Sequence, residues 1–184
     1  MASRKPKNRV LMDSCAIDQA VRRMARAIAA AGARTPDLAL IGIQTGGVYL
    51  ARHLAALLAK QWGGRVPVGQ LDVTMHRDDL DQRLAPQVHP TAIGFDVTGK
   101  TVILVDDVLF SGRTTRAALD ALNDLGRPKR IQLAVLIDRG HRELPIEADF
   151  VGRRIATAVT DLVVVRLART IAASQVILEK APAA

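Results

Sequence analysis

The chain contains the segment Thr101-Val-Ile-Leu-Val-Asp-Asp-Val-Leu-Phe-Ser-Gly-Arg-Thr-Thr115, in which an apolar run leads into two carboxylates and then a turn of small residues. The run from Thr101 to Val105 predicts a buried β-strand that ends at the acid pair. Arg113 to Leu125 predicts the helix that follows. Backbone N–H groups in such a turn and at a helix start bind anions, and Gly112 allows close approach of the ligand. The segment therefore predicts a phosphate site at the end of a strand.

The acid pair, Asp106 and Asp107, specifies this site further. Carboxylates repel a phosphate, so their presence needs a ligand that also carries hydroxyl groups. Carboxylates accept hydrogen bonds from the vicinal hydroxyls of a ribose and are ligands for Mg²⁺. A plain strand-to-helix turn with an Asp cap would account for only one of the two acids. The pair therefore indicates a ribose 5-phosphate, with Mg²⁺ at the same carboxylates.

Strands and helices alternate on both sides of this segment. The predicted helices cover Asp13 or Ser14 to about Ala31, Val48 to about Gln61 and Arg113 to Leu125, and the predicted strands cover Leu38 to Ile43, Val66 to Val73, Thr101 to Val105, Ile131 to Ile137, and short stretches near Ala148 to Val151, Leu162 to Leu167 and Gln175 to Leu178. This alternation predicts an α/β fold with a mostly parallel central sheet flanked by helices. Such a sheet binds ligands at the carboxyl ends of its strands. The turn at Thr45, a long polar loop from Thr74 to Gly99 and the turn after Asp107 are expected there.

Composition limits the class of protein and its partners. The 184 residues carry a formal net charge of +8 and include one cysteine, Cys15. We expect a flexible basic arm at residues 1–8 and one domain at residues 9–184. The charge favours phosphorylated metabolites or nucleic acid as partners. A single cysteine, the lack of a signal peptide and the lack of a membrane-spanning apolar stretch favour a cytoplasmic location.

Gly94 to Thr101 matches G-x-x-x-x-G-K-T, the pattern of a nucleotide-binding P-loop. A P-loop follows a strand and opens a helix, whereas here Lys100 and Thr101 lead directly into an apolar strand. The residues before Gly94 are polar and show no strand pattern. We therefore reject an NTPase and expect Lys100 to be a solvated residue at the entrance of the strand.

The segment Val102 to Thr114 closely resembles the phosphoribosyl diphosphate signature of type I phosphoribosyltransferases. From about Asp13 to Thr157 the chain is similar to one family of that class, the pyrimidine operon attenuators with uracil phosphoribosyltransferase activity. The matching segments are IGIQTGGVYLA (41–51), LDVTMHRDDL (71–80), VILVDDVLFSGRTTRAALDAL (102–122) and GRPKRIQLAVLIDRGHRELPIEADFVG (126–152), of which RGHRELPI is the most characteristic. The resemblance implies a single-domain type I phosphoribosyltransferase fold with a small hood and a flexible lid loop.

The resemblance also implies the reaction and the residues that serve it. The reaction is transfer of phosphoribosyl from phosphoribosyl diphosphate to uracil, with Mg²⁺, giving UMP and diphosphate. The residues implied for the donor are Thr45, Gly46, Val102, Ile103, Leu104, Val105, Asp106, Asp107, Val108, Leu109, Phe110, Ser111, Gly112, Arg113, Thr114 and Thr115. The residues implied for catalysis are Asp106, Asp107 and Arg77, and those implied for the base are Asp138, Arg139, Phe150 and Val151. The chain departs from the family where Gly46 replaces a common Arg and His76 a frequent Tyr; we favour a structural or loop role for His76 over that of a general base.

The same family binds the mRNA leader of pyrimidine operons, promoted by UMP or UTP. The residues expected to contact RNA are Arg22, Arg23, Arg26, His141 and Arg153. The chain departs from the family at Arg26, where His is common, and at Glu147, where Arg is usual. The carboxylate of Glu147 would repel an RNA phosphate. A solvated cationic face is the alternative for this set.

Two other functions stay open at this point. One is an RNA-binding regulator with weak catalysis, and the other is a purine-type phosphoribosyltransferase.

The expected partners are phosphoribosyl diphosphate, uracil, UMP or UTP, and RNA. We also expect the protein to form a homo-oligomer of two or more copies and not to associate with a membrane.

Overall fold

The computed structural model describes residues 8–32, 34–76, 89–167 and 173–180. In chain order its elements are β1 (Arg9–Met12), α1 (Ser14–Ala30), β2 (Leu38–Ile43), α2 (Gly46–Trp62), β3 (Val68–Leu71), a 3₁₀ helix (Thr74–His76), β4 (Thr101–Leu109), α3 (Arg113–Asn123), β5 (Arg130–Asp138), β6 (Phe150–Arg154), β7 (Leu162–Arg166) and β8 (Gln175–Glu179). Within these residues, five strands form a parallel sheet in the order β3-β2-β4-β5-β6. The α/β fold with a parallel central sheet is confirmed.

A second, smaller sheet contains the ends of the chain. Here β8 lies between β1 and β7 and pairs with both in antiparallel fashion. This three-stranded sheet corresponds to the small hood that the sequence led us to expect.

Helices cover both faces of the parallel sheet because its strands are apolar on both sides. Ile103 and Val105 of β4 pack in one core with α1 and α2, and Leu104 packs in a second core with α3. The alternation follows the period of two in a strand. The predicted apolar stripe of α1 (Ile17, Val21, Met24 and Ile28) is buried in the first core. The sheet is thus fixed from both faces, and its carboxyl edge is left to carry the site.

The structure corrects the prediction that the third strand ends at Val105. Strand β4 continues through both acids to Leu109, because Val108 and Leu109 pair with Ile137 and Asp138 of the neighbouring strand. This long-range pairing leaves no local signal in a sequence that turns polar at the acid pair.

The bounds of two other strands also differ from the predicted ones. The structure places β3 at Val68–Leu71 and β6 at Phe150–Arg154, whereas the predictions were Val66 to Val73 and Ala148 to Val151. We expected no strand at the start of the domain, yet β1 pairs there with β8. Four residues are too few for periodicity to separate a strand from a loop.

Two glycines allow α2 to pack closely on the sheet. A Cβ at Gly47 would lie 2.1 Å from the carbonyl oxygen of Val105, and one at Gly42 would lie 2.5 Å from the Cα of Val48. Both neighbours are backbone atoms that cannot rotate away. Gly42 therefore allows the close approach of α2 to β2, and Gly47 allows its close approach to β4.

Replacing Gly47 with alanine is expected to lower the free energy of unfolding by about 3 kcal/mol, because the added methyl group overpacks a rigid backbone. Equilibrium urea unfolding measures this loss. Gly94→Ala is the matched control, since a Cβ there meets nothing within 4 Å. Equal stability of the two variants would contradict the packing described here.

Three further expectations concern Lys100, membrane-spanning helices and the start of the domain. Lys100 lies at the entrance of β4, outside any helix start, which agrees with rejecting a P-loop; its Nζ donates to the carbonyl of Pro36 at 2.8 Å, so it is a bonded and not a merely solvated lysine. No helix within the described residues is long and apolar enough to span a membrane. Residues 1–7 lie outside the described residues, so the division of the chain at residue 8 stays a prediction.

Candidate active site at the carboxyl edge of the sheet

A turn between β4 and α3 encloses a cavity at the carboxyl edge. Gly112 precedes α3 with a φ of 92°, a left-handed conformation that favours glycine. The cavity has a volume of about 280 Å³ and is lined by residues 108–115 and Glu143. Thr114 and Thr115 contribute hydroxyl groups, and the N-terminus of α3 opens onto the same space. These are the features that bind a phosphate.

The two carboxylates lie next to each other near the carboxyl end of β4. Asp107 faces the turn before α2, where a Cβ at Gly46 would meet its side chain. Asp106 is only 7% exposed, and its Oδ1 accepts the backbone N–H of Asp107 at 2.9 Å. Burial raises the pKa of Asp107, and the hydrogen bond with Asp106 only partly offsets this. The pair thus places two acidic side chains near the carboxyl end of the strand.

The turn before α2 contacts the acid pair directly. A Cβ at Gly46 would lie 2.2 Å from Oδ2 of Asp107. The backbone N–H of Gln44 donates to the carbonyl of Leu71 at 2.9 Å, and the Gln44–Thr45 peptide bond is cis. Thr45 and Gly46 therefore lie beside Asp107, where the donor's diphosphate was expected. Gly46, where the family commonly has Arg, leaves space for the Asp107 carboxylate. A larger side chain pointing along the same direction would occupy that space.

A second group of predicted residues surrounds Phe110. The guanidinium of Arg139 lies 4.3 Å from the ring centroid of Phe110, and the ring of His141 packs edge-on at 6.2 Å. Arg139 is 5% exposed and donates to the carbonyls of Ala158 and Val159 at 2.8 and 3.2 Å. Two of its three side-chain nitrogens, Nε and Nη2, thus donate hydrogen bonds within the protein, and the Phe110 ring with its two neighbours forms one wall beside the phosphate turn.

Asp138 ends β5 within a network of donors. Burial favours a higher pKa for its carboxyl, but hydrogen bonds from Arg142 and the N–H of Gly140 outweigh burial, so the pKa lies below its ordinary value. Arg142 Nη2 and Gly140 N donate to Oδ1 at 2.6 and 3.0 Å, and Arg154 Nε lies 3.6 Å from Oδ2. Asp138 is therefore an ionised, oriented carboxylate at the edge of the sheet.

Phe150 and Val151 lie farther from the edge. They pair with Ala134 and Val135, in the middle of β5, and the Phe150 side chain belongs to the first core. The carboxyl end of β6 instead presents Arg153 and Arg154. A role for Phe150 and Val151 in base binding stays a prediction.

Arg142 is the site residue that the sequence did not assign to catalysis or ligand binding. Its guanidinium donates to the carbonyls of Phe110, Gly140 and Ile146 at 3.0, 3.1 and 2.9 Å, besides Asp138. It therefore joins the phosphate turn to the RGHRELPI segment. Its place four residues after Asp138 is the one signal in the sequence that points to this pairing. Glu143 was also missed; its Oε2 lies 2.7 Å from Nε of Arg113 at the rim of the cavity.

Replacing Arg142 with methionine should lower the free energy of unfolding at pH 7 by about 2–3 kcal/mol, because Asp138 loses the shorter of its two ion pairs while its side chain is still largely buried. Since the pKa of Asp138 is lowered in the folded state, the stabilisation exists above the ordinary carboxyl pKa and is lost as the pH falls. Urea unfolding at several pH values should show the difference between the variant and the parent protein shrink as the pH falls below about 4, leaving only the part that comes from the lost bonds to backbone carbonyls.

Arg22→Met is the control for this experiment, since it removes an exposed ion pair with Asp18. We expect the control to unfold at the same urea concentration as the parent protein. A loss in Arg142→Met that did not vary with pH would argue against the pair with Asp138.

The predicted catalytic Arg77 lies outside the described residues, and its role stays a prediction. His76, its neighbour, ends the 3₁₀ helix, with Nε2 3.8 Å from Oδ2 of Asp124 after α3. This contact agrees with a structural role for His76.

The predicted RNA contacts fall into separate places. Arg22 and Arg26 line a groove of about 550 Å³ between α1 and α2 together with Lys60. Arg22 Nε is paired with Asp18 at 2.6 Å, and Arg26 Nε donates to the carbonyl of Arg22 at 3.4 Å. This part of the set is a continuous basic groove.

The other three cations bond to backbone carbonyls. Arg23 donates to Gly152 at 3.3 Å, and Arg153 donates to Leu11 at 2.6 Å, which places both near β6. Nε2 of His141 lies 2.7 Å from the carbonyl of Thr157, beside Phe110. Contact of these residues with RNA stays a prediction.

Comparison with known proteins identifies the family. The model of the phosphoribosyl transferase domain matches residues 11–167. The bifunctional protein PyrR of Chloroflexus aurantiacus is 55% identical over 163 residues, which cover 88% of this chain and 90% of that protein. The chain belongs to the PyrR family. The PyrR protein of Thermus thermophilus is 54% identical over 158 residues, covering 85% of this chain and 87% of its own.

A solved structure agrees with the PyrR assignment at the level of the fold. The hypoxanthine phosphoribosyl transferase of Trypanosoma cruzi superimposes with a TM-score of 0.66 at 20% identity, covering 86% of this chain and 83% of that one. The type I phosphoribosyltransferase fold expected from the sequence is therefore confirmed.

Proposed function

We propose that this protein transfers the phosphoribosyl group of phosphoribosyl diphosphate to uracil. The observation that carries the proposal is the meeting of the acid pair, the Thr45 turn and the cavity of residues 108–115 at one edge of the sheet. Phosphate, ribose and diphosphate each find matching chemistry there. The assignment of uracil as acceptor rests on the resemblance of RGHRELPI and its surroundings to the family.

In this mechanism the chain acts mainly by positioning and by electrostatics. The turn from Phe110 to Thr115 holds the 5-phosphate, and the carboxylates of Asp106 and Asp107 accept hydrogen bonds from the ribose hydroxyls. The bond from C1 of the ribose to diphosphate breaks, the bond to a ring nitrogen of uracil forms, and the proton of that nitrogen passes to water. The acids also favour the positive charge that develops on the ribose. Thr45 and Gly46 orient the diphosphate as it leaves.

The residues present suit Mg²⁺ as the cofactor. Within the described residues, no cluster of three or more His, Cys, Asp or Glu side chains could hold a metal unaided. Asp106 and Asp107 would supply two oxygen ligands, and hydroxyl and diphosphate oxygens of the substrate would supply others, an arrangement typical of Mg²⁺. When bound, Mg²⁺ would neutralise the charge that builds on the diphosphate.

Product analysis tests the choice of base. The protein is incubated with phosphoribosyl diphosphate, MgCl₂ and an equal mixture of uracil, hypoxanthine and guanine. We expect UMP and diphosphate in equal amounts. Formation of IMP or GMP in place of UMP would support the purine-type alternative and overturn our proposal for the base.

We also propose that the protein binds the mRNA leader of a pyrimidine operon when UMP or UTP occupies the site. The groove lined by Arg22, Arg26 and Lys60 and the cations Arg23 and Arg153 support this, and the relatives are named bifunctional. A gel-shift with the leader of its own operon, with and without UMP, tests it. RNA binding that UMP does not strengthen would contradict this role, whereas UMP-dependent binding without turnover would favour a regulator with weak catalysis.

We further propose a cytoplasmic homo-oligomer, a dimer or larger, formed by the domain at residues 9–184. Sedimentation of the purified protein tests the oligomer, and a monomer at micromolar concentration would contradict it.

A further inference from the structure

The carboxylate of Asp72 joins two parts of the chain that lie 17 positions apart. Asp72 follows β3 at the carboxyl edge of the sheet. Its Oδ1 accepts the backbone N–H of Thr74 at 2.6 Å, and its Oδ2 accepts the backbone N–H of His89. Residues 77–88, which include Arg77, connect these two ends. One side chain thus ties together the points where this segment leaves and re-enters the described chain.

Further hydrogen bonds make the junction a short antiparallel stem. The backbone N–H of Asp72 donates to Oγ1 of Thr91 at 3.1 Å, and Gln70 and Ala92 exchange backbone hydrogen bonds of 3.0 and 2.9 Å. The N–H of His76 donates to the carbonyl of Val73 at 3.0 Å. The stem therefore has a defined geometry on both sides of Asp72.

The stem is connected to the candidate site. Leu71, the residue before Asp72, accepts the backbone N–H of Gln44, which opens the turn of Thr45 and Gly46. His76, which ends the 3₁₀ helix after Asp72, lies beside Asp124 at the end of α3. The stem is thus held between the turn that faces Asp107 and the helix that begins at the phosphate turn.

The charge state of Asp72 suits this role. Burial favours a higher pKa, but hydrogen bonds from Thr74 and His89 outweigh burial, and the pKa of Asp72 lies below its ordinary value. The carboxylate is therefore ionised at neutral pH and accepts on both oxygens, which an amide side chain cannot do.

We propose that Asp72 is a positioning residue for phosphoribosyl transfer, whose carboxylate fixes residues 74–76 and 89–92 beside the Thr45 turn. The inference rests on the proposed function. It predicts that Asp72 affects the binding of phosphoribosyl diphosphate more than the binding of uracil. Asp72 itself need not touch either substrate. Since misplacing a binding group by about 1 Å costs up to about 10²-fold, loss of the carboxylate should weaken use of the donor.

Asp72→Asn tests the proposal, because it keeps the volume but places an NH₂ donor against one of the two N–H groups. We expect the KM for phosphoribosyl diphosphate to rise about ten-fold, while the KM for uracil changes by less than about two-fold. Calorimetric titration with phosphoribosyl diphosphate and MgCl₂ should show the same loss of affinity. Amide hydrogen exchange should increase in peptides from β3 and from residues 89–92, but not in β4.

Asp96→Asn is the matched control. Oδ1 of Asp96 accepts the N–H of Thr98 at 2.8 Å in a similar local turn, at the opposite, amino end of β4. We expect its kinetics to match those of the parent protein. Thr91→Val is a milder second variant, which removes one acceptor and leaves the carboxylate; it should shift the KM for the donor in the same direction by a smaller factor.

Three results would overturn the inference. They are donor affinity in Asp72→Asn within about two-fold of the parent protein, equal losses for the donor and for uracil, or a loss shared by Asp96→Asn. A parent protein that forms no UMP would instead defeat the proposed acceptor, and the donor titration would still decide the role of Asp72.

Discussion

Replacing Asp107 with asparagine is expected to lower kcat for phosphoribosyl transfer by about 10²–10³-fold while the protein stays folded. The carboxylate lies at the end of β4 against the Thr45 turn, where ribose hydroxyls and Mg²⁺ would meet it. Asparagine keeps the shape of the side chain but has one acceptor oxygen and no charge. Steady-state measurement of UMP formation gives kcat, and circular dichroism checks the fold.

Asp120→Asn provides the control for this substitution. Asp120 lies on α3 with 51% of its side chain exposed, and its Oδ2 is 3.6 Å from Nε of Arg116. It is not among the residues that line the cavity. We expect it to turn over like the parent protein. Robust turnover by Asp107→Asn would show that the acid pair does not serve the ribose, and the site assignment would have to be given up.

Replacing Gly46 with alanine is expected to reduce kcat/KM for phosphoribosyl diphosphate by about 10–100-fold. The new Cβ would meet three atoms of the Asp107 side chain, at 2.2, 2.5 and 3.0 Å. A side chain can rotate, unlike the strand backbone that faces Gly47. The variant should therefore stay as stable as the parent protein but hold the Asp107 carboxylate in another position.

A double-mutant cycle separates this cause from a general disturbance of the turn. If Gly46→Ala acts by displacing the Asp107 carboxylate, it should have little further effect in the Asp107→Asn protein. Independent, multiplicative losses in the double variant would contradict this cause. Gly64→Ala, where the nearest atom lies 4.0 Å from the added Cβ, controls for the addition of a methyl group.

The sequence predicted the parallel sheet because each central strand is apolar on both faces and alternates with a helix of clear periodicity. It also predicted the phosphate turn, since strand, acids, small residues and helix follow one another within 15 residues. It failed at β1 and at the end of β4, where pairing with strands distant in sequence decides the conformation. Pairing energies of this kind leave no trace in a local pattern.

The difference between local patterns and long-range contacts also explains which site residues could be predicted from the sequence. Asp107 and Gly46 could each be nominated from motifs, but their contact depends on how α2 packs on β4. Arg142 and Asp72 look like ordinary surface charges in the sequence. Their importance follows from the backbone groups that the fold brings to them: carbonyls from the phosphate turn for Arg142, and the N–H of His89 for Asp72.

A crystal structure with phosphoribosyl diphosphate and Mg²⁺ bound tests the central claim most directly. It should show the 5-phosphate in the cavity lined by residues 108–115, the ribose hydroxyls at Asp106 and Asp107, and the diphosphate beside Thr45 and Gly46. A donor bound elsewhere, or one whose ribose avoids both carboxylates, would contradict the account.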